Sequence, residues 1–178
     1  PFAIRYPKGK GNIIDWKKPM NILPIGKGEC LKEGKNLAIL SVGTIAANVE
    51  KAIEKVESEH HISIAHYDMR YVKPLDEDLL HEIGKKFKQI ITIEDGVIQG
   101  GFGSTISEFF SNSDYRLKIK RLGIPDTFVE QGSIEELQTL LGLDAESIAK
   151  TIVEMLKVNE KEKTKRKLKP NIMFGKKI

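Results

Sequence analysis

Apolar and polar positions follow two different periods along the chain, and each switch between them marks a new element. The run LAILSV at residues 37–42 is apolar at every position but Ser41 and predicts a first strand. Just beyond it, Ile45, Val49, Ala52, Ile53 and Val56 recur at three- and four-residue spacing, with Glu50, Lys51, Glu54 and Lys55 opposite. That spacing predicts an amphipathic helix, with Thr44 as its expected N-cap. A second strand is predicted over residues 62–68. After it, Asp76 is the N-cap of a helix with acidic Glu77 and Asp78 in its first turn and Leu79, Leu80, Ile83 and Phe87 on its buried side. QIITIED at 89–95 is a third strand, running through GVIQGGFGS into a helix from about Ser104 to Phe110, and LKIKRLGI at 117–124 is a fourth. Ser133 and Glu136 make a capping box, and Asp144 caps a last helix with Ile148, Ile152 and Met155 on one side. A further short strand is expected within Ile25–Lys32. Strands alternating with helices predict one α/β domain with a largely parallel sheet, closing near Leu156.

Composition and charge change this picture only at the ends. A chain of 178 residues, 40% hydrophobic and 30% charged, has room for one ordinary domain. No run of eighteen apolar residues occurs and no secretory leader is legible, so a cytoplasmic protein without membrane contact is expected. The first residue is Pro1 rather than Met, which suggests a piece of a longer chain. Residues 9–24 are rich in Lys, Asn, Pro and Gly and read as a linker. The net charge of +4 is a property of residues 159–178, which hold 8 Lys/Arg against 2 Asp/Glu, whereas the rest of the chain holds 21 against 23. The tail therefore reads as a solvated, disordered basic end, and no nucleic-acid partner is expected. Cys30 is the only cysteine, which leaves no internal disulfide, and it reads as a small buried or half-buried side chain.

Candidate chemistry is expected at the carboxyl ends of the strands, at Gly43–Thr44, Asp68–Arg70 and the Glu94–Ser104 loop. The glycines of that loop, Gly100, Gly101 and Gly103, fit either an anion-binding turn or backbone packing through positive φ and close approach. As a dinucleotide fingerprint the loop fails, because Ile106 stands where a glycine is required. Among the four histidines His66 has the best claim, near a strand end, but no His, Cys, Asp or Glu set shows ligand spacing. Arg5, Lys8 and Lys10, interleaved with Gly9 and Gly11, suit a phosphate.

Seven segments together carry a resemblance: AIRYPKG at 3–9, LPIGKGE at 23–29, LAILSVGT at 37–44, DMRYVKPLDEDLL at 68–80, GGFGS at 100–104, LGIPDTFVEQG at 122–132 and LGLDAESI at 141–148. In this order they resemble the end of the 1-deoxy-D-xylulose-5-phosphate synthase family, over about residues 1–157. The resemblance implies a three-layer α/β/α domain with a mostly parallel, mixed sheet of about five strands, of the transketolase C-terminal type. It implies residues 1–9 as the end of a pyrimidine-binding domain, 10–24 as a linker and 25–157 as the domain itself. It further implies a homodimeric, thiamine-diphosphate- and magnesium-dependent transferase that condenses pyruvate with D-glyceraldehyde 3-phosphate, supplying isoprenoid, thiamine and pyridoxal synthesis. The G-D-G motif with which the family binds its cofactor does not occur in these residues, so neither cofactor binding nor turnover is expected of this chain alone. Lys8 occupies the position of a family arginine that contacts the substrate phosphate, so substrate binding is expected there, and no catalytic residue is expected. Asp95-Gly96 and Gln131 depart from the family's usual Glu-Asn and His. Two alternatives stand beside it: the corresponding domain of a pyruvate dehydrogenase beta-type subunit, serving as a partner-docking module, and a free-standing anion- or nucleotide-binding module.

Overall fold

The computed structural model describes residues 2–4, 6 and 21–167, with side chains through residue 156. In chain order it holds β1 (Glu29–Lys32), β2 (Leu37–Val42), α1 (Ala46–His60), β3 (Ile64–Asp68), α2 (Glu77–Lys86), β4 (Gln89–Val97), α3 (Phe102–Ser111), β5 (Lys118–Ile124), α4 (Ile134–Leu140) and α5 (Ala145–Lys167). The strands form one sheet in the order β1-β3-β2-β4-β5. β1 pairs antiparallel with β3 at one edge, and the other three pairings are parallel.

Alternation along the buried strands divides the core in two. Leu37, Ile39, Ile64, Ile91 and Ile93 meet Val49, Ile53 and Val56 of α1 and Ile148, Ile152 and Met155 of α5 on one face. Ala38, Leu40, Ala65, Tyr67 and Ile90 meet Leu80 and Ile83 of α2 and Phe102, Ile106 and Phe110 of α3 on the other. This is the three-layer α/β/α arrangement with a mixed five-stranded sheet. Both faces are covered by helices, which is why these strands lack a polar side.

The caps follow the sequence in three cases out of four. Asp76 Oδ1 accepts from Leu79 N at 3.3 Å, Ser133 and Glu136 form the reciprocal capping box, and Asp144 Oδ1 accepts from Glu146 N and Ser147 N at 3.0 and 3.2 Å. Thr44 does not cap α1. The N-cap position falls on Ile45, whose side chain is buried, and the backbone tightens so that Ala46 N and Ala47 N donate to the Gly43 and Thr44 carbonyls at 3.3 Å. Cys30 is exposed rather than buried, because β1 is an edge strand with only Lys32 partly covered. The backbone of α5 continues to Lys167, past the end expected near Leu156 and through the first half of the segment read as a disordered tail. Residues 157–167 contain neither Gly nor Pro and are mostly Lys, Glu and Arg, all good helix formers.

Candidate functional site

In an open α/β sheet the ligand crevice lies outside the carboxyl ends of the strands, where the strand order reverses. Here the reversal falls between β2 and β4, flanked by Gly43–Thr44 and by the Glu94–Ser104 loop. Glu94 is the last buried side chain of β4, and its carboxylate turns into the first turn of α3. Oε2 accepts from Phe102 N at 2.9 Å and Oε1 from Gly103 N at 2.8 Å. Two amides that a helix start normally leaves without partners are thus satisfied by an internal anion.

The glycines make room for that carboxylate. A Cβ on Gly101 would overlap the Glu94 carboxylate and the Val97 carbonyl, and one on Gly103 would lie 2.6 Å from Thr92 Oγ1. Arg121 closes the loop from β5: its Nη1 donates to Ser104 Oγ at 2.7 Å and to the Ile98 carbonyl at 3.3 Å. Ser104 Oγ in turn donates to Ile98 O and accepts from Gly100 N, both at 3.0 Å. The anion-binding option for this loop is therefore overturned. The amides that would hold a phosphate are given to Glu94, and an added anion would meet its negative charge. The packing option accounts for the glycines, and the free-standing nucleotide module loses its site.

His66 lies in the middle of β3, not at its end, and is 1% exposed. Its Nε2 is 2.8 Å from Ser41 Oγ, itself fully buried. Burial pushes its pKa down to about 4, so the ring is neutral at neutral pH. A neutral imidazole bonded to a serine with no path to solvent is a core contact, not a catalytic pair. Among the described residues no three His, Cys, Asp or Glu side chains converge as metal ligands.

The Asp68–Tyr71 segment is built differently. Asp68 Oδ1 accepts from Arg70 N at 3.0 Å, Arg70 adopts a left-handed φ of 54°, and its guanidinium pairs with Glu29 of β1. Tyr71 N donates to the Met69 carbonyl. Nearby, Asp76 receives Lys27 Nζ and Gly28 N, each at 3.0 Å. Burial alone would raise the Asp76 pKa, but the bonds from Lys27, Gly28 and Leu79 outweigh it and hold the carboxyl below its usual range. The turn before β1 is thereby stapled to the start of α2. The ring of Phe2 meets that of Tyr71, a contact that two aromatic residues 69 positions apart do not announce in the sequence. Arg5, Lys8 and Lys10 lie outside the described residues.

A thiamine diphosphate and its magnesium do not fit the described residues. The helix start best placed for a diphosphate is occupied by Glu94, and no carboxylate cluster offers metal ligands.

Comparison with known proteins is consistent with this geometry. The family described as Transketolase, C-terminal domain, matches residues 26–148. Proteins named 1-deoxy-D-xylulose-5-phosphate synthase are similar at 58% identity over 152 residues in Parabacteroides distasonis, 51% over 152 in Bacteroides fragilis and 47% over 156 in Porphyromonas gingivalis. The matches cover 85%, 85% and 88% of this chain but 24% of each relative, so the chain spans about a quarter of their length. Among solved structures, a split-gene transketolase described as an inactive beta4 tetramer superposes with a TM-score of 0.70 at 30% identity, over 76% of this chain and 44% of that one. A transketolase from Campylobacter jejuni shares the fold with a TM-score of 0.52 at 15% identity, over 72% of this chain and 18% of that one. By the matched residues and by the sheet they form, the chain belongs to the transketolase C-terminal domain family.

Proposed function

We propose that the chain is the carboxyl-terminal part of a 1-deoxy-D-xylulose-5-phosphate synthase, which condenses pyruvate with D-glyceraldehyde 3-phosphate and releases carbon dioxide. The observation that carries the reading is the 58% identity over 152 residues with the Parabacteroides distasonis protein of that name. It favours the synthase over a pyruvate dehydrogenase beta-type subunit. In the whole enzyme thiamine diphosphate, with magnesium, supplies the carbanion chemistry. The domain over residues 25–157 acts structurally, in holding a cytoplasmic homodimer together, while residues 1–9 end a preceding domain and residues 10–24 link the two. Lys8 contacts the acceptor phosphate with a single charged ammonium in place of the planar fork of an arginine. The product would feed isoprenoid, thiamine and pyridoxal synthesis. Exposed Phe128, Ile134 and Leu140 are in keeping with a surface completed by a second subunit.

The test is a chimera in which residues 1–157 replace the matching end of the Parabacteroides distasonis protein. Synthase turnover within about tenfold of the parent is expected. A chimera that folds and binds thiamine diphosphate but forms no 1-deoxy-D-xylulose 5-phosphate would overturn the assignment. The 178-residue chain by itself is expected to give no turnover and no heat of thiamine diphosphate binding in calorimetry.

A further inference from the structure

The end of the sheet where β3 finishes and β1 begins carries apolar side chains that the fold leaves in water. Ile22 is 95% exposed, Leu23 51% and Ile25 67%, and on the neighbouring segment Val72 is 42% exposed. The two segments adjoin: a Cβ on Gly26 would lie 2.7 Å from Pro74 Cγ, and one on Gly28 would lie 3.1 Å from the Asp68 carbonyl. The ledge they form is braced. Asp76 holds Lys27 Nζ, Gly28 N and Leu79 N, Glu29 pairs with the Arg70 guanidinium, and Lys27 N donates to the Pro24 carbonyl at 3.3 Å. Helices already cover both faces of the sheet, so a stiff turn that holds these apolar side chains outward at its end marks a surface for a partner.

Phe2 touches the edge of this ledge. Its ring meets that of Tyr71 edge to face with centroids 6.4 Å apart, a geometry that the ring quadrupoles favour, yet Phe2 stays 64% exposed and Ile4 73%. The beginning of the chain therefore reaches the ledge without closing it. The relatives matched above extend far beyond the match, which covers 24% of each. We infer that the ledge of Ile22, Leu23, Ile25 and Val72 is the docking surface for the preceding domain of the same polypeptide, which meets it next to the Phe2–Tyr71 contact. The face that fits it is apolar and uncharged, because these side chains offer a buried polar group no hydrogen bond. This inference rests on the reading of the chain as the end of a longer synthase.

The test compares hydrogen exchange at residues 22–25 and 72–73 in the 178-residue chain and in the full-length protein that carries it. Both segments should exchange about tenfold or more slowly in the full-length protein. Ile25→Asp combined with Val72→Asp should return them to the rates of the 178-residue chain, since the docked face leaves two carboxylates unpaired. Ile25→Val combined with Val72→Ile should keep the protection. Sedimentation should give one oligomeric state for the full-length wild type and both pairs, and neither pair should move the urea midpoint of the 178-residue chain. Equal exchange in the chain and in the full-length protein would overturn the inference. So would a weaker oligomer in the aspartate pair, which makes a second copy the occupant, or a lowered urea midpoint of the 178-residue chain, which means that the ledge packs within its own residues. Formation of 1-deoxy-D-xylulose 5-phosphate is scored separately: a full-length protein that protects the ledge but forms no product keeps the docking surface and loses the synthase assignment.

Discussion

The loop from Ile98 to Gly101 and the segment from Pro125 to Ser133 both follow a strand and both lead into a helix, yet they relate to the rest of the chain in opposite ways. The first is closed upon itself: Glu94 supplies the anion for α3, Arg121 and Ser104 tie the Ile98 carbonyl, and Phe102 is buried where the helix begins. The second has a helix with no buried side chain, α4, and leaves Phe128 fully exposed and Ile134 and Leu140 mostly so. One loop takes its shape from contacts inside this chain. The other has local caps that define its helix and one tie to α1, Asn48 Nδ2 donating to Gln138 Oε1 at 2.9 Å, but it leaves Phe128, Ile134 and Leu140 in water.

The sharpest way to break this contrast is Gly101→Ala. A Cβ at that position would run into a carboxylate buried against two amides and into a backbone carbonyl, neither of which is the free end of a flexible side chain. Unfolding in urea should show a loss of about 3 kcal/mol, at the upper end of ordinary overpacking. A loss below about 1 kcal/mol would mean that the loop yields, and its closure would not be a property of the chain.

Next in size is the response of the core beneath this edge to acid. His66 is neutral in the fold with its pKa depressed from 6.5 to about 4 by burial, so as pH falls the unfolded chain takes up the proton first. The stability it contributes is complete above pH 6.5 and is lost progressively down to about pH 4, by about 2 to 3 kcal/mol. Urea midpoints between pH 7 and 4 for wild type and His66→Gln measure it, and the variant should lose correspondingly less over that window. Identical slopes would show that His66 is not the group responsible. Glu94→Gln follows, at about 2 kcal/mol: the amide keeps one acceptor oxygen but gives up the charge and sets an NH2 group against a backbone N–H. A loss within about 0.5 kcal/mol would assign α3's start to the glycines alone.

What the sequence disclosed follows the range of the interactions. Strands, helices and the caps at Asp76, Ser133 and Asp144 were legible because each depends on residues within one turn or one strand period. Thr44 was misread because a buried Ile45 and two backbone carbonyls replaced the side-chain cap, a choice made by packing rather than by residue type. Cys30 was misread because its burial depends on which strand lies at the edge of the sheet, and that is a matter of strand order. At the candidate site the glycines were visible and their purpose was not. Glu94 sits eight residues before the first amide it caps, across a loop whose path no local rule dictates. The Phe2–Tyr71 contact was beyond reach for the same reason, while Lys8, singled out for a phosphate by its glycine-flanked cluster and by resemblance, lies outside the described residues.

The smallest expected effect bears on the open side of the contrast. Phe128→Ser removes an aromatic ring with no covering neighbour among the described residues, so the unfolding free energy of the chain at low protein concentration should change by no more than about 0.5 kcal/mol, as for other exposed positions away from special features. The serine also removes an exposed apolar group, which favours the unassembled state if a second subunit covers Phe128 in the whole enzyme. If the proposed homodimer forms through this surface, sedimentation of the full-length protein should then show it weakened, while the same substitution leaves the stability of the chain as it was. A destabilisation above about 1 kcal/mol at low protein concentration would mean that Phe128 packs within its own chain, and the distinction between a closed loop and an open one would fail.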